Sequence, residues 1–215
     1  MDVILLAAGI GKRAKLNYPK QIFRLGGIPI LVRLINIFQN ISKIKNIILT
    51  VIPDKIEYFE NILKQYDIKN VQIIKGGTNR QQSVYYALQY VQTDKVIIHE
   101  VARPFITKEY IKKMIEIKND NVVPIIDVNY TLYDIKKGQY PRRNDIKNVQ
   151  LPQKFNTELL KEAHEKLKNY NFTDDSSLFV SYFSDKFINY IDGLEENIKI
   201  TTPLDVKISE VIYDE

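Results

Sequence analysis

Four times along this chain, a short run of apolar residues is joined to a longer stretch whose apolar residues recur at helical spacing, and a fifth such run follows. The runs are 2–6 (DVILL), 46–51 (NIILTV), 71–74 (VQII), 95–99 (KVIIH) and 122–126 (VVPII). The first four stretches with helical pattern cover 29–38, 55–66, 80–90 and 108–118, and Pro29 suits a first helical turn. A strand that is apolar at consecutive positions must be covered on both faces. Such strands alternating with helices predict an α/β protein with a mostly parallel sheet flanked by helices on both sides.

The rhythm breaks at 127–150. This stretch is polar, contains Gly138, Pro141, Arg142 and Arg143, and alternates apolar and polar residues only briefly. A long excursion inside an α/β unit is uncommon and is usually functional, so it reads as a projecting arm with the pattern of a β-hairpin. Helical pattern returns at 157–167 and 175–184, a strand is expected at 187–191, and a last helix at 203–212.

With 215 residues and 45% apolar content, the chain can bury one sizeable core, and one domain over 1–215 is expected. No cysteine is present, which excludes a disulfide framework and a thiolate metal site and fits a cytoplasmic protein. The apolar start is interrupted by Gly9, Lys12 and Arg13, too soon for a signal peptide or a membrane span, and no membrane partner is expected. Lys and Arg number 31 against 26 Asp and Glu, but the basic residues are dispersed and no nucleic-acid motif accompanies them. A lysine-rich surface or a small anionic ligand accounts for the balance, and no nucleic-acid partner is expected.

The first apolar run leads into Leu6-Ala7-Ala8-Gly9-Ile10-Gly11-Lys12-Arg13, with Pro19-Lys20-Gln21 soon after. Small residues let a backbone approach a ligand, and glycine permits the dihedral angles that turn successive N–H groups one way. With Arg13 and Lys20 nearby, the loop suits a triphosphate. It is not a dinucleotide fingerprint, since the third glycine is replaced by Ala14 and no acidic residue ends the next strand. Nor does it have the Walker A pattern.

This loop resembles the nucleotide loop of the sugar-nucleotidyltransferase superfamily, and among its members the sequence is most similar to the 2-C-methylerythritol 4-phosphate and ribitol 5-phosphate cytidylyltransferases. Further segments support the resemblance in the same order: Gly76-Gly77-Thr78-Asn79-Arg80-Gln81-Gln82-Ser83-Val84, His99-Glu100-Val101-Ala102-Arg103-Pro104, Thr131 at the start of the arm, Arg143 eight residues before Leu151-Pro152-Gln153, Thr173-Asp174-Asp175-Ser176-Ser177, and Lys199-Ile200-Thr201-Thr202-Pro203.

The resemblance implies a Rossmann-like sheet of the nucleotide-diphospho-sugar transferase type and a Mg²⁺-dependent transfer of CMP from CTP to a polyol phosphate. It implies that Arg13, Lys20 and Lys199 act on the phosphates. It assigns Ala7, Ala8, Gly9, Gly11, Gly76, Gly77, Thr78, Ser83 and Glu100 to the nucleotide, with Glu100 as metal ligand, and Arg103, Thr131, Arg143 and Thr173 to the acceptor. Arg142 competes with Arg143 for its role. The arm is expected to cross to a second subunit, making a homodimer.

Two positions depart from the family pattern. Glu100 stands where relatives carry aspartate, and Leu151 stands where they carry threonine, which removes a hydroxyl from the expected acceptor pocket. The acceptor, methylerythritol or ribitol phosphate, is open on these residues. A transferase using another phosphorylated acceptor, or an inactive nucleotide binder, is the alternative. A glycosyltransferase is disfavoured because no Asp-x-Asp occurs.

Overall fold

A computed structural model describes residues 1–9 and 11–214. Its elements in chain order are β1 (Asp2–Ala7), β2 (Arg24–Leu25), β3 (Ile28–Pro29), α1 (Ile30–Gln39), β4 (Ile47–Val51), α2 (Ile56–Gln65), β5 (Val71–Lys75), α3 (Arg80–Leu88), β6 (Lys95–Glu100), α4 (Lys108–Glu116), β7 (Val122–Asp127), β8 (Lys147–Val149), β9 (Gln153–Asn156), α5 (Thr157–Lys166), α6 (Asp175–Tyr182), β10 (Asn189–Asp192) and α7 (Pro203–Asp214). The main sheet runs β10-β7-β9-β6-β1-β4-β5, with β8 on β7. β1 pairs in parallel with β4 and β6, β4 with β5, and β10 with β7. The expected α/β architecture is therefore present.

Successive side chains of a strand point to opposite faces, and β1 shows the result. Val3, Leu5 and Ala7 enter an apolar cluster with Leu31, Leu34, Ile35 and Phe38 of α1 and Phe59 of α2. Ile4 enters the opposite cluster with Val84 of α3, Leu160 of α5 and Phe179 of α6. Both faces are sealed, which is why the strand reads as an unbroken apolar run. The helix starts are set by local chemistry: Asn79, Thr107, Asn156 and Asp174 each accept a backbone N–H of the following first turn.

Three features differ from the sequence expectation. Pro29 stands one residue before α1 and pairs with Arg24 in a small antiparallel hairpin rather than forming the first turn. β9 is absent from the apolar pattern because its residues are Gln, Lys, Phe and Asn. It runs antiparallel between β6 and β7 and makes the sheet mixed. Lys154, in β9, is fully buried and donates from Nζ to the carbonyls of Met114 (3.0 Å) and Ile117 (2.7 Å) where α4 ends. Finally, the excursion at 127–150 is a hairpin only at its base, where β8 returns antiparallel to β7. Beyond that base it holds a single bridge, Asp134 to Gln139, and a 3₁₀ turn at Arg143–Asp145.

The topology prepares one edge for a ligand. From β1 the chain crosses to β4 and β5 on one side, then returns to place β6 on the other. Parallel strands put the carboxyl ends of β1, β4, β5 and β6 on one edge, and the change of direction beside β1 leaves a crevice there.

Candidate active site

A cavity of about 760 Å³ opens at that edge. The segments that follow the four strands line it: Ala8, Gly9 and Gly11 after β1, Ile52 and Pro53 after β4, Gly76 to Asn79 after β5, and Ala102 after β6, with Glu100 itself. Lys20 and Lys199 enter from two loops far apart in sequence.

The glycine loop is stapled from within. The buried amide of Gln21 donates to the carbonyls of Ala7 (2.7 Å) and Gly9 (2.6 Å). Gly11 has φ +70°, and a Cβ there would meet the Lys20 side chain at 3.2 Å, so both its conformation and the passage of Lys20 beside it favour glycine. Lys20 Nζ donates to the carbonyl of Ile200 at 2.9 Å, which ties the first loop to the one carrying Lys199. Burial, then the nearby Lys199 ammonium, lowers the Lys20 pKa.

On the opposite wall, Ser83 Oγ accepts the Gly77 N–H (3.0 Å) and donates to the Asn79 carbonyl (2.9 Å). Its hydroxyl shapes the Gly76-Gly77 turn before any ligand is considered. Thr78 donates its N–H to Gln82 Oε1 at 2.6 Å.

Glu100 is the acidic group of the floor. Arg80 Nε donates to its Oε1 at 3.1 Å, and Lys199 Nζ lies 2.6 Å from its Oε2. Burial alone would raise this carboxyl's pKa, but Lys199 and Arg80 outweigh it and hold the value at about 2. Beside it, His99 is buried against Phe38 and bonded through Nε2 to the Arg103 carbonyl (2.9 Å). Burial brings its pKa down to about 4, so it is neutral at pH 7 and packs rather than titrates.

Several expected residues lie outside the cavity lining. Ala7 is a core residue of β1 that contributes its carbonyl. Arg13 stands exposed on the 3₁₀ turn Lys12–Ala14, near enough to Lys20 to disfavour a second charge there. Arg103 donates from Nη1 to the Asn197 carbonyl (2.8 Å), and its buried Nε has no hydrogen-bond partner. Thr173 is exposed just before α6, and Thr131, Arg142 and Arg143 are exposed on the arm. Leu151 also lies outside the cavity lining. Its side chain is buried in the apolar cluster under α3, α5 and α6, and its carbonyl accepts from Asn197 Nδ2 (2.5 Å). Conversely, sequence reasoning gives no role to Arg80, Gln21, Asn79 or Tyr86. The first two carry a sequence signal, a polar residue inside an otherwise complete motif, whereas Tyr86 lines the cavity only through the pitch of α3.

Among the described residues no group of three or more His, Cys, Asp or Glu gathers to hold a metal. A magnesium ion that bridges phosphate oxygens needs only one or two protein carboxylates. Glu100 fits that lesser role: it lines the cavity, and its buried Oε2 has no hydrogen-bond partner of good geometry, with the Lys199 ammonium as its neighbour.

A cavity bounded by a glycine loop, a second glycine turn and two convergent lysines suits a nucleoside triphosphate, and comparison with known proteins agrees. The model of the family IspD, 2-C-methyl-D-erythritol 4-phosphate cytidylyltransferase, matches residues 1–215. The chain is 37% identical to the 2-C-methyl-D-erythritol 4-phosphate cytidylyltransferase of Clostridium botulinum strain 657, over 99% of this chain and 97% of that protein. It is 35% identical to the Bacillus cytotoxicus enzyme of the same name, over 97% and 95%. The crystal structure of 4-diphosphocytidyl-2C-methyl-D-erythritol synthase from Anaerococcus prevotii superposes with a TM-score of 0.86 at 28% identity, covering 100% of this chain and 96% of that one. The chain belongs to the 2-C-methyl-D-erythritol 4-phosphate cytidylyltransferase family of CTP-dependent nucleotidyltransferases.

Proposed function

We propose that this enzyme transfers CMP from CTP to 2-C-methyl-D-erythritol 4-phosphate and releases pyrophosphate. The observation that carries the proposal is the convergence of Lys20 and Lys199 beside the glycine loop in a cavity of triphosphate size. The methylerythritol acceptor is favoured over ribitol 5-phosphate by the names of the relatives, and the burial of Leu151 removes one reason to look elsewhere.

In the proposed reaction an oxygen of the acceptor's phosphate attacks the α-phosphorus of CTP. The new P–O bond forms as the bond to the bridging oxygen breaks, and the electron pair leaves with pyrophosphate. The phosphate monoester is already anionic near neutral pH, so placement and charge neutralisation dominate over proton transfer. Lys20 and Lys199 are assigned to the charge on the α-phosphate and the leaving group, with Arg13 closing over the phosphates from the rim. Ala8, Gly9, Gly11, Gly76, Gly77 and Thr78 hold the nucleotide through backbone groups. Ser83 acts by keeping the second turn in shape, and Ala7 by anchoring the first loop. Glu100 would hold Mg²⁺, which supplies neutralisation of the triphosphate charge.

Arg103 and Thr173 are assigned to the acceptor, together with Thr131 and Arg143 from a second subunit. That assignment treats 1–215 as one domain and 127–150 as a dimerisation arm. The arm exposes Tyr130, Tyr133, Ile135 and Tyr140, an apolar group that a partner chain would cover. A cytoplasmic setting belongs to the same reading, because both substrates are highly charged metabolites.

The test is pyrophosphate release from CTP and Mg²⁺ with methylerythritol 4-phosphate, ribitol 5-phosphate, glycerol 3-phosphate and an aminoethylphosphonate in turn. Release with the first alone, and none with UTP, is expected. Release only with another member reassigns the acceptor, and failure to bind CTP removes the proposal.

A further inference from the structure

A row of charged side chains runs from the cavity floor into the protein. Arg80 is its centre: Nε donates to Glu100 Oε1 at 3.1 Å, and Nη2 donates to Asp175 Oδ2 at 2.6 Å. Asp175 Oδ1 lies 3.0 Å from His164 Nε2. A carboxylate can only accept, so His164 donates from Nε2. The Glu100, Arg80, Asp175 and His164 side chains are 10%, 19%, 1% and 0% exposed, and they come from β6, α3, α6 and α5.

Burying this many ionic groups carries a desolvation penalty of several kcal/mol per ion, which apolar side chains would avoid. The row meets the cavity at Arg80 and Glu100, where Lys199 adds its ammonium, while Asp175 and His164 lie behind them. We infer that Asp175 and His164 are positioning residues for nucleotide transfer: they fix the guanidinium of Arg80, and Arg80 fixes the Glu100 carboxylate toward the cavity.

The geometry explains why each residue type is needed. A guanidinium is planar, and two of its nitrogens donate to different carboxylates here, so the carboxylate of Asp175 sets the direction in which Nε points. Glu100 has one more rotatable bond than an aspartate, and the Arg80 donor on Oε1 removes that freedom while Oε2 stays beside Lys199. A lysine in place of Arg80 could not hold two carboxylates in fixed orientation. His164 occupies the second oxygen of Asp175, which would otherwise be a buried acceptor without a partner.

The inference rests on the proposed function for what Glu100 contacts, so the experiment reads CTP binding separately from turnover. CTP affinity is measured by calorimetry with and without Mg²⁺ for the wild type, Asp175→Asn, Arg80→Lys, Glu100→Gln and the double variant Asp175→Asn with Glu100→Gln. Removing a group that orients a metal-holding carboxylate typically weakens the metal-dependent step about 10-fold or more. Asp175→Asn and Arg80→Lys should each lose about 10-fold of the affinity that Mg²⁺ adds, and the double variant should match Glu100→Gln alone. His164→Gln, which keeps a donor, should retain the Mg²⁺ effect, and His164→Leu should lose it. If Asp175→Asn does not fold, Arg80→Lys and the His164 pair decide the matter by the same readout. A full Mg²⁺ effect in the folded variants, or losses that simply add in the double variant, overturns the inference. A wild type that binds CTP but turns over no acceptor refutes the acceptor and leaves this test standing; a wild type that binds no CTP removes both.

Discussion

Gly76 approaches Ala8 so closely that a Cβ on it would lie 2.3 Å from the Ala8 methyl, with Ser83 Oγ and the Val51 carbonyl each 3.2 Å away. The two glycine turns of the site are thus packed against each other across the ends of β1, β4 and β5. Overpacking of this kind costs about 1–3 kcal/mol because backbone must move. Gly76→Ala should destabilise the protein by that amount in denaturant unfolding and weaken CTP binding about 10-fold or more by calorimetry. A Cβ on Gly9 would lie 4.0 Å from Gln21 Nε2, an ordinary contact, so the effect of Gly9→Ala on stability should be clearly smaller. Equal effects would mean that the approach of the two turns does not shape the site.

Lys199 and Lys20 differ in how they are held. Lys199 is paired with Glu100, while Lys20 donates to a backbone carbonyl. If both act on charge that develops at the α-phosphate, removing either should lower kcat about 100- to 1,000-fold, with much less effect on CTP affinity. Steady-state pyrophosphate release and equilibrium CTP binding check the two halves. Unchanged turnover in both alanine variants would sink their assignment.

The four parallel strands around β1 were legible because burial on both faces writes an unbroken apolar run. β9 was not, since Gln153 and Lys154 reach the interior through partners at 174 and at the end of α4 that no local pattern announces. The glycine turns were legible because their spacing is local. The row through Arg80 was not: Asp175 is 95 residues from it, and an Asp-Asp-Ser-Ser segment reads equally as a helix cap. Asp174 does cap α6, which leaves Asp175 free for Arg80. The fate of Leu151 was illegible for the same reason, as nothing in sequence tells a pocket wall from a core position.

The arm offers an assembly test. Tyr133 and Tyr140 pack with ring centroids 4.9 Å apart, and Ile135 is 86% exposed between them. A charge placed in an interface core opposes association. Ile135→Arg should shift the protein from dimer to monomer in light scattering at micromolar concentration and should also lower acceptor affinity, with the fold intact by circular dichroism. A wild type already monomeric would remove the arm from the site.

Acid should loosen the row behind Glu100. Burial alone would raise the Asp175 carboxyl, but Arg80 and the His164 hydrogen bond hold its pKa at about 2, below the usual 3.8. A depressed carboxylate stabilises the fold above its unfolded pKa, and that contribution fades as pH falls through the folded value. The shift corresponds to about 2 kcal/mol. The stability difference between wild type and Asp175→Asn should therefore be constant above pH 5 and shrink by about 2 kcal/mol toward pH 2. A difference independent of pH over that range would show that Asp175 is not held as an ion.

Lys154 should behave in the opposite sense. Its ammonium is buried, and burial brings its pKa from 10.5 down to about 8. The folded protein then binds fewer protons than the unfolded chain between about pH 8 and 10.5, so this residue's contribution to stability rises with pH across that window. The cation survives below it because the Met114 and Ile117 carbonyls need donors at the end of α4, where positive charge is also favourable. Lys154→Met removes those donors and should cost about 2 kcal/mol at pH 7, since buried carbonyls lose their partners. The gap between wild type and variant should then widen by about 3 kcal/mol as the pH is raised from 8 to 10.5. Urea unfolding of both proteins across that range measures it directly, because the titrations of all other lysines cancel in the difference. A gap that stays level would mean that Lys154 keeps its charge, and that the two carbonyls stabilise the ammonium as well as water does.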